Sequence, residues 1–113
     1  MYGIVESIRD VAQFKTLINT KPLVVIHVMR EHCSVCHAVL PQLKDILDTS
    51  YPKVTLAIIN QSEVPEIAGE LTIFTVPVDL IFMNGKEMHR QGRFIDMQSF
   101  ERQLATMYEQ IDD

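Results

Sequence analysis

The side chains most able to do chemistry are concentrated in one short stretch, Glu31-His32-Cys33-Ser34-Val35-Cys36-His37. This stretch directly follows an apolar, β-branched run, and the apolar residues after it recur at helical spacing. A C-x-x-C motif at a helix start suits dithiol chemistry, because its spacing brings two sulfur atoms within bonding reach and the helix N-terminus stabilises a thiolate. In such settings the pKa of the attacking thiol falls from about 8.5 to roughly 3.5–7.5, and protonated His32 and His37 would lower it further.

Three other interpretations of this stretch stay open on the residues alone. The two cysteines could be small buried hydrophobic residues. With His32 and His37 they could bind a metal ion, although zinc sites usually collect ligands from two separated segments. The run from Cys33 to His37 also matches the attachment motif of c-type haem, which would require an exported, helical protein. C-x-x-C at a strand–helix junction is the more specific signal, so we favour dithiol chemistry and expect no metal site.

The composition limits the class of protein. The chain has 113 residues, 10 Lys and Arg against 15 Asp and Glu, a formal charge of −5 at pH 7 and two Cys. This length predicts one domain spanning residues 1–113, and 47% apolar with 22% charged residues is the balance of a globular chain. Two cysteines are too few for a disulfide scaffold or a four-thiolate metal site. The basic residues are scattered, so nucleic acid is not an expected partner.

The sequence also predicts where the protein is found. No stretch approaches the roughly 18–20 consecutive apolar residues of a membrane span, so no membrane partner is expected. The N-terminal residues have neither a basic start nor a long apolar segment, so a secretory signal is not expected. We therefore expect a cytoplasmic protein, in which a pair of cysteines is more often catalytic or metal-binding than structural.

The elements around the motif follow from periodicity. Residues 23–29 are β-branched without alternation, which predicts a central strand covered on both faces. A helix is expected from 34 to about 49, kinked at Pro41, and Asn84-Gly85 is a strong signal for a hairpin turn. Gly92 marks a bulge or a break in the last strand. The predicted elements are strands at 3–8, 23–29, 53–59, 78–83 and 86–91, and helices from the Asp10 cap to Thr20 and at 34–49, 64–70 and 97–111. This order predicts an α/β domain with a mixed sheet.

Several spaced landmarks together resemble the thioredoxin family along nearly the whole chain. They are the strand Leu23–Met29, Cys33-x-x-Cys36, Pro41, Thr75-Val76-Pro77, the run Leu80-Ile81-Phe82-x-Asn84-Gly85, and Gly92 before the final helix. The resemblance implies the thioredoxin fold, a central mixed sheet of four to five strands flanked by helices. It also implies that the Val76–Pro77 bond is cis and lies against the dithiol. Without the other landmarks, Pro77 would be interpreted as an ordinary proline at the start of a strand.

The resemblance assigns roles to individual residues. Cys33 would attack a substrate disulfide, and Cys36 would then resolve the mixed disulfide. Cys33 and Cys36 would thereby form a redox-active disulfide with each other. Pro77 would shape a substrate groove in which the backbone of Val76 pairs with an extended substrate segment. The remaining positions implied to contact substrate are His32, Ser34 and Val35.

The departures from the family pattern are equally specific. Met29 and His32 stand where thioredoxins carry Trp, and His27 and Ile58 stand where they carry a buried Asp and its Lys partner. We therefore hypothesise that a neutral His27 accepts the Cys36 proton in place of that Asp. The alternative is a core histidine bonded to the backbone. Asp79 lies on an otherwise apolar strand; it could face the active-site side, but a surface position near the strand end is the favoured expectation.

The predicted function is a thiol–disulfide oxidoreductase that reduces protein disulfides and contributes to redox homeostasis. The expected partners are protein disulfide substrates and a thioredoxin reductase, the expected state is a monomer, and no cofactor is expected. The alternative is a non-catalytic binding module or redox sensor that uses the groove around Pro77.

Overall fold

A computed structural model describes residues 5–111, in which strands and helices alternate before a terminal hairpin and helix. The strands are β1 (Val5–Ile8), β2 (Leu23–Met29), β3 (Thr55–Asn60), β4 (Val78–Met83) and β5 (Lys86–Gly92). The helices are α1 (Val11–Thr20), α2 (Ser34–Ser50), α3 (Ile67–Leu71) and α4 (Met97–Tyr108). No helix within residues 5–111 has the length and apolar character needed to cross a membrane.

The five strands form one mixed sheet in the order β1-β3-β2-β4-β5. β1 and β2 both pair with β3 in parallel, because helices cross over between them, whereas β4 runs antiparallel to β2 and to β5. The β4–β5 turn has positive φ at Asn84 (53°) and Gly85 (85°), the combination that an Asn-Gly hairpin favours. The mixed sheet and its hairpin confirm the predicted architecture.

The ends of several helices and strands differ from the predicted ones. The last helix ends at Tyr108 rather than at 111, and the short helix is Ile67–Leu71 rather than 64–70. The third strand begins at Thr55 and ends at Asn60, one residue beyond the prediction. Gly92 closes β5, while the irregular register lies between Ile81 and Phe82. Residues 3 and 4 of the first predicted strand lie outside the described residues.

Strand β2 divides the core into two faces. Its residues from Leu23 to Val28 are all buried, as predicted for a central strand. Val24, Ile26 and Val28 pack in the cluster that contains α1 and α3 residues. Leu23 and Val25 pack in the other cluster, which holds Leu43 and Leu47 of α2 together with Phe100 and Leu104 of α4. Residues at odd positions of β2 therefore face α2 and α4.

Candidate active site

The C-x-x-C motif and Pro77 lie at the same end of the sheet. Val28 near the end of β2 is paired with Val78 at the start of β4, because the two strands are antiparallel. The loop that leaves β2 and the segment that enters β4 therefore begin side by side. The loop after β3 joins them, since the Gln61 backbone N–H donates to the Met29 carbonyl at 2.7 Å.

Cys33 and Cys36 form a disulfide, with Cα atoms 5.3 Å apart. Cys33 is the N-cap of α2, and its Sγ accepts a hydrogen bond from the Cys36 backbone N–H at 3.1 Å. A donor at the positive end of a helix favours a negative charge on that sulfur. Cys36 is 1% exposed and faces the core, whereas Cys33 is partly exposed. Only Cys33 is thus open to another molecule, and this asymmetry distinguishes two roles.

The residues beside the cysteines are presented to solvent. His32 has a left-handed backbone (φ 62°), which turns the chain from β2 into α2. His32, Ser34 and His37 are exposed, and Val35 is 46% exposed despite its apolar side chain. Of the four residues predicted to contact substrate, His32, Ser34 and Val35 therefore lie on the surface around Cys33.

Two hydrogen bonds that the sequence did not reveal hold the loop between β2 and α2. Arg30 Nε donates to Gln61 Oε1 at 2.6 Å, and the Glu31 backbone N–H donates to Ser62 Oγ at 3.4 Å. Gln61 is itself buried. The loop that carries Cys33 is thereby fastened to the loop after β3, across a sequence separation that no local pattern spans.

The segment before β4 completes this end of the fold. The Val76–Pro77 peptide bond is cis, Pro77 is buried and Val76 is partly buried. The Arg93 backbone N–H donates to the Pro77 carbonyl at 2.7 Å, with Arg93 in a left-handed conformation (φ 67°). Phe74 and Phe94, on either side of this contact in the chain, are 82% and 80% exposed. Sequence reasoning missed Arg93 and both phenylalanines, because none of them belongs to a recognised motif.

Within residues 5–111, the hydrogen-bond partner of His27 is a side chain and not the backbone group that the alternative interpretation assigned to it. Its Nδ1 lies 2.6 Å from Asp79 Oδ1, and both side chains are 0% exposed. The prediction of a surface position for Asp79 is wrong: the residue lies near the end of β4, as its second member, but it stands opposite His27 in the β2–β4 register and is fully buried. A carboxylate in that interior needs a partner, and the imidazole supplies it.

This arrangement can perform dithiol–disulfide exchange. It has one accessible sulfur at a helix N-terminus, one buried sulfur bonded to it, and a buried acid–base pair on the face of the sheet that α2 covers. Within residues 5–111, no group of three or more His, Cys, Asp or Glu side chains is arranged to hold a metal ion.

Comparisons with known proteins point to one family. The sequence model of the thioredoxin family matches residues 5–107. The thioredoxin-like protein YdfQ of Bacillus subtilis is 45% identical over 83 residues, which is 74% of this chain and 73% of that protein. A bifunctional thioredoxin reductase/thioredoxin of Mycobacterium leprae is 23% identical over 88 residues, 78% of this chain and 19% of that protein. Thioredoxin from Malassezia sympodialis superposes with a TM-score of 0.82 at 24% identity, covering 96% of this chain and 93% of that one, which confirms the predicted thioredoxin fold.

Proposed function

Because the chain belongs to the thioredoxin family of thiol–disulfide oxidoreductases, we propose that it reduces protein disulfides, with Cys33 as the attacking and Cys36 as the resolving thiol. One observation carries this proposal: Cys33 is partly exposed at the N-terminus of α2 and accepts the Cys36 N–H, while Cys36 is buried. An attacking sulfur needs access and a stabilised thiolate, whereas a resolving sulfur needs only to reach its neighbour.

The proposed reaction has two exchange steps. The Cys33 thiolate attacks one sulfur of the substrate disulfide, forms a mixed disulfide and releases the other substrate sulfur as a thiolate. Cys36 then loses its proton and attacks Cys33 Sγ, which forms the Cys33–Cys36 disulfide and releases the second substrate thiolate. Two electrons have passed from the dithiol to the substrate, and both substrate thiolates take protons from solvent.

The groove around Pro77 is the proposed substrate-binding surface. The exposed side chains of Val35, Phe74 and Phe94 lie at the end of the fold that carries Cys33, and they supply apolar contact area. Pro77 has no N–H, so the neighbouring Val76 backbone is the group available to pair with an extended substrate segment. His32 and Ser34 flank the attacking sulfur and complete this surface.

His27 is the proposed acceptor of the Cys36 proton, in the position where the family carries a buried Asp. Its side chain lies on the face of β2 that α2 covers, and Cys36 lies on the buried side of α2. A neutral imidazole is a suitable proton acceptor near neutral pH.

Members of this family act on protein disulfides and are reduced by thioredoxin reductase. We propose the same recycling route here, which the fusion of the two activities in the Mycobacterium leprae relative supports. A cytoplasmic location, a monomeric state and a role in redox homeostasis stay predictions that accompany this proposal.

A trapping experiment tests the two cysteine roles. The Cys36→Ser variant, incubated with a cell extract and separated without reductant, is expected to accumulate mixed disulfides with many proteins through Cys33. The matched Cys33→Ser variant is expected to capture few, because its remaining thiol is buried. Equal capture by both variants would overturn the assignment, and capture of a single protein by Cys36→Ser would favour the binding module instead.

The direction of the reaction needs a separate measurement. Wild-type protein equilibrated with glutathione buffers is expected to become oxidised at a low fraction of glutathione disulfide, as a reductant does. In the same preparation, the protein with dithiothreitol should accelerate insulin reduction. A pair that stays reduced in strongly oxidising buffer would identify an oxidant rather than a reductase.

A further inference from the structure

The buried pair formed by His27 and Asp79 is the feature that the family resemblance does not explain. Among the described residues, these are the only Asp, Glu, His, Lys or Arg side chains in the core. They stand directly opposite each other on antiparallel strands and are separated by 52 residues in sequence. Burying two ionisable groups is expensive, and apolar residues of similar volume would stabilise the core at least as well. The pair is therefore a candidate for a role other than stability.

The contact with Asp79 selects one tautomer of a neutral His27. When Asp79 is ionised its carboxylate can only accept, so Nδ1 of His27 is assigned as the donor in the 2.6 Å contact with Asp79 Oδ1. A neutral imidazole with its proton on Nδ1 has a free lone pair on Nε2. Nε2 is buried and has no hydrogen-bond partner among the described residues. An ionised Asp79 thus holds His27 in the tautomer whose Nε2 can accept a proton.

The strand register places the His27 side chain on the face of the sheet that the first turn of α2 covers. His27 continues the row formed by Leu23 and Val25 on β2, and these two pack with Leu43 and Leu47 of α2. Cys36 continues the α2 row toward the helix N-terminus, since it precedes Leu43 by two turns and is also buried. Because α2 leaves the end of β2 and runs back across it, the first turn of α2 lies over the last residues of β2.

We propose that Asp79 is a positioning residue for the resolving step: it orients His27 so that Nε2 takes the proton from the Cys36 thiol. This inference rests on the proposed function, in which Cys36 attacks Cys33 Sγ and the substrate thiolate leaves. When Nε2 accepts the proton, His27 becomes an imidazolium hydrogen-bonded to the Asp79 carboxylate. The carboxylate therefore compensates a charge that would otherwise appear alone in a dry interior.

Few other ionisable side chains lie near this pair and could accept the Cys36 proton or compensate the charge of the imidazolium. On the neighbouring strands, Ile58 of β3 pairs with His27 and Gln91 of β5 pairs with Asp79, and neither side chain is ionisable. His89 of β5 instead places its ring 5.7 Å from that of Phe100 of α4. His32 and His37 at the start of α2 are exposed.

The test separates the two exchange steps with a chromogenic aromatic disulfide. Attack by Cys33 releases the first coloured thiolate, and resolution by Cys36 releases the second. Asp79→Asn keeps the side-chain volume but cannot neutralise an imidazolium. We expect it to slow the second phase by about tenfold to a hundredfold near pH 7, the range of general-base effects, and the first by less than about twofold. The deficit should shrink as pH rises, because hydroxide then competes with His27 for the Cys36 proton.

Controls distinguish this role from loosening of the core. Val25→Ala, in the same row of β2, should weaken packing without selectively slowing the second phase. The double variant His27→Leu/Asp79→Leu removes both charges together, so that neither is left unpaired, and should show the same selective loss of the second phase. Equal slowing of both phases, or an unchanged second phase, in Asp79→Asn would overturn the proposal.

Two measurements keep the inference independent of the variants' folding and of the proposed function. In ¹⁵N-histidine NMR spectra of the reduced wild-type protein, His27 is expected as the Nδ1–H tautomer, and an Nε2–H tautomer would overturn the positioning role. Cys36→Ser should lose the second phase entirely. A retained second phase there would refute Cys36 as the resolving thiol, whatever Asp79 does.

Discussion

The residue that departs most consequentially from the family pattern is His27. The sequence predicted a buried histidine near the dithiol, and the structure places it at 0% exposure on the face of β2 that α2 covers. Its partner is Asp79 rather than the backbone. A histidine held by a carboxylate has a defined tautomer, whereas a lone core histidine does not.

Replacing this base should affect one exchange step more than the other. His27→Asn retains an N–H donor for Asp79 but has no basic nitrogen, so we expect resolution of the mixed disulfide to slow by about tenfold to a hundredfold. Attack by Cys33 should change little, which the two phases of thiolate release from an aromatic disulfide would measure. His89→Ala, which removes an imidazole from β5, is the control. Equal effects on both phases in His27→Asn would refute the acceptor role.

At the scale of elements, the N-terminal cap distinguishes α2 from α1 and α4, the other two helices of ten or more residues. The N-caps of α1 and α4 are Asp10 and Asp96, whose carboxylates accept the backbone N–H of Gln13 and Ser99. The N-cap of α2 is Cys33, and its sulfur atom takes the position of the carboxylate. The same unsatisfied N–H groups that stabilise a helix start elsewhere are thus available to a thiolate here.

The cap of α1 is expected to contribute measurably to stability. The sequence predicted it from the spacing of Asp10 and Gln13, and the Asp10 carboxylate accepts the Gln13 N–H at 2.7 Å. Asp10→Ala should lower the free energy of unfolding by about 1 kcal/mol, and Asp10→Asn, which can still accept this bond, by less. Urea denaturation measures both. Equal destabilisation by the two substitutions would show that the hydrogen bond is not the cause.

At the scale of the whole molecule, Tyr51 connects the two helices that cover one face of the sheet. It follows α2, donates its hydroxyl to Glu101 Oε2 of α4 at 3.1 Å, and packs edge-on against Tyr108 at 5.1 Å. Burial raises the pKa of Tyr51 above its usual value of 10.0, and the hydrogen bond to Glu101 and the charge of that carboxylate raise it further.

This raised pKa predicts a loss of stability in alkali. Above about pH 10 the unfolded chain releases the Tyr51 proton while the folded chain retains it, so stability present below that pH is lost as pH rises through the folded-state pKa. Between about pH 9 and pH 11, the urea midpoint of wild type should therefore fall more steeply than that of Tyr51→Phe. Glu101→Gln should give an intermediate slope. Parallel slopes for wild type and Tyr51→Phe would contradict this prediction.

Much of the fold was predictable because its signals are local. The β-branched run of β2, the Asn84-Gly85 turn and the cap at Asp10 each occupy a few adjacent residues, and each appears where predicted. Helix ends were less predictable: α4 stops at Tyr108 although apolar spacing continues to Ile111. Apolar spacing records which face would be buried, not how far the hydrogen-bonded helix extends.

The sequence alone determined the dithiol and its place at a strand–helix junction, because spacing along the chain decides which sulfur atoms share a helical turn. Only the tertiary structure decided what surrounds it. Asp79 meets His27, Gln61 fastens Arg30, and Arg93 reaches Pro77 through the register of strands and loops that are distant in sequence. Register depends on how both faces of the sheet pack, and no local pattern contains that information.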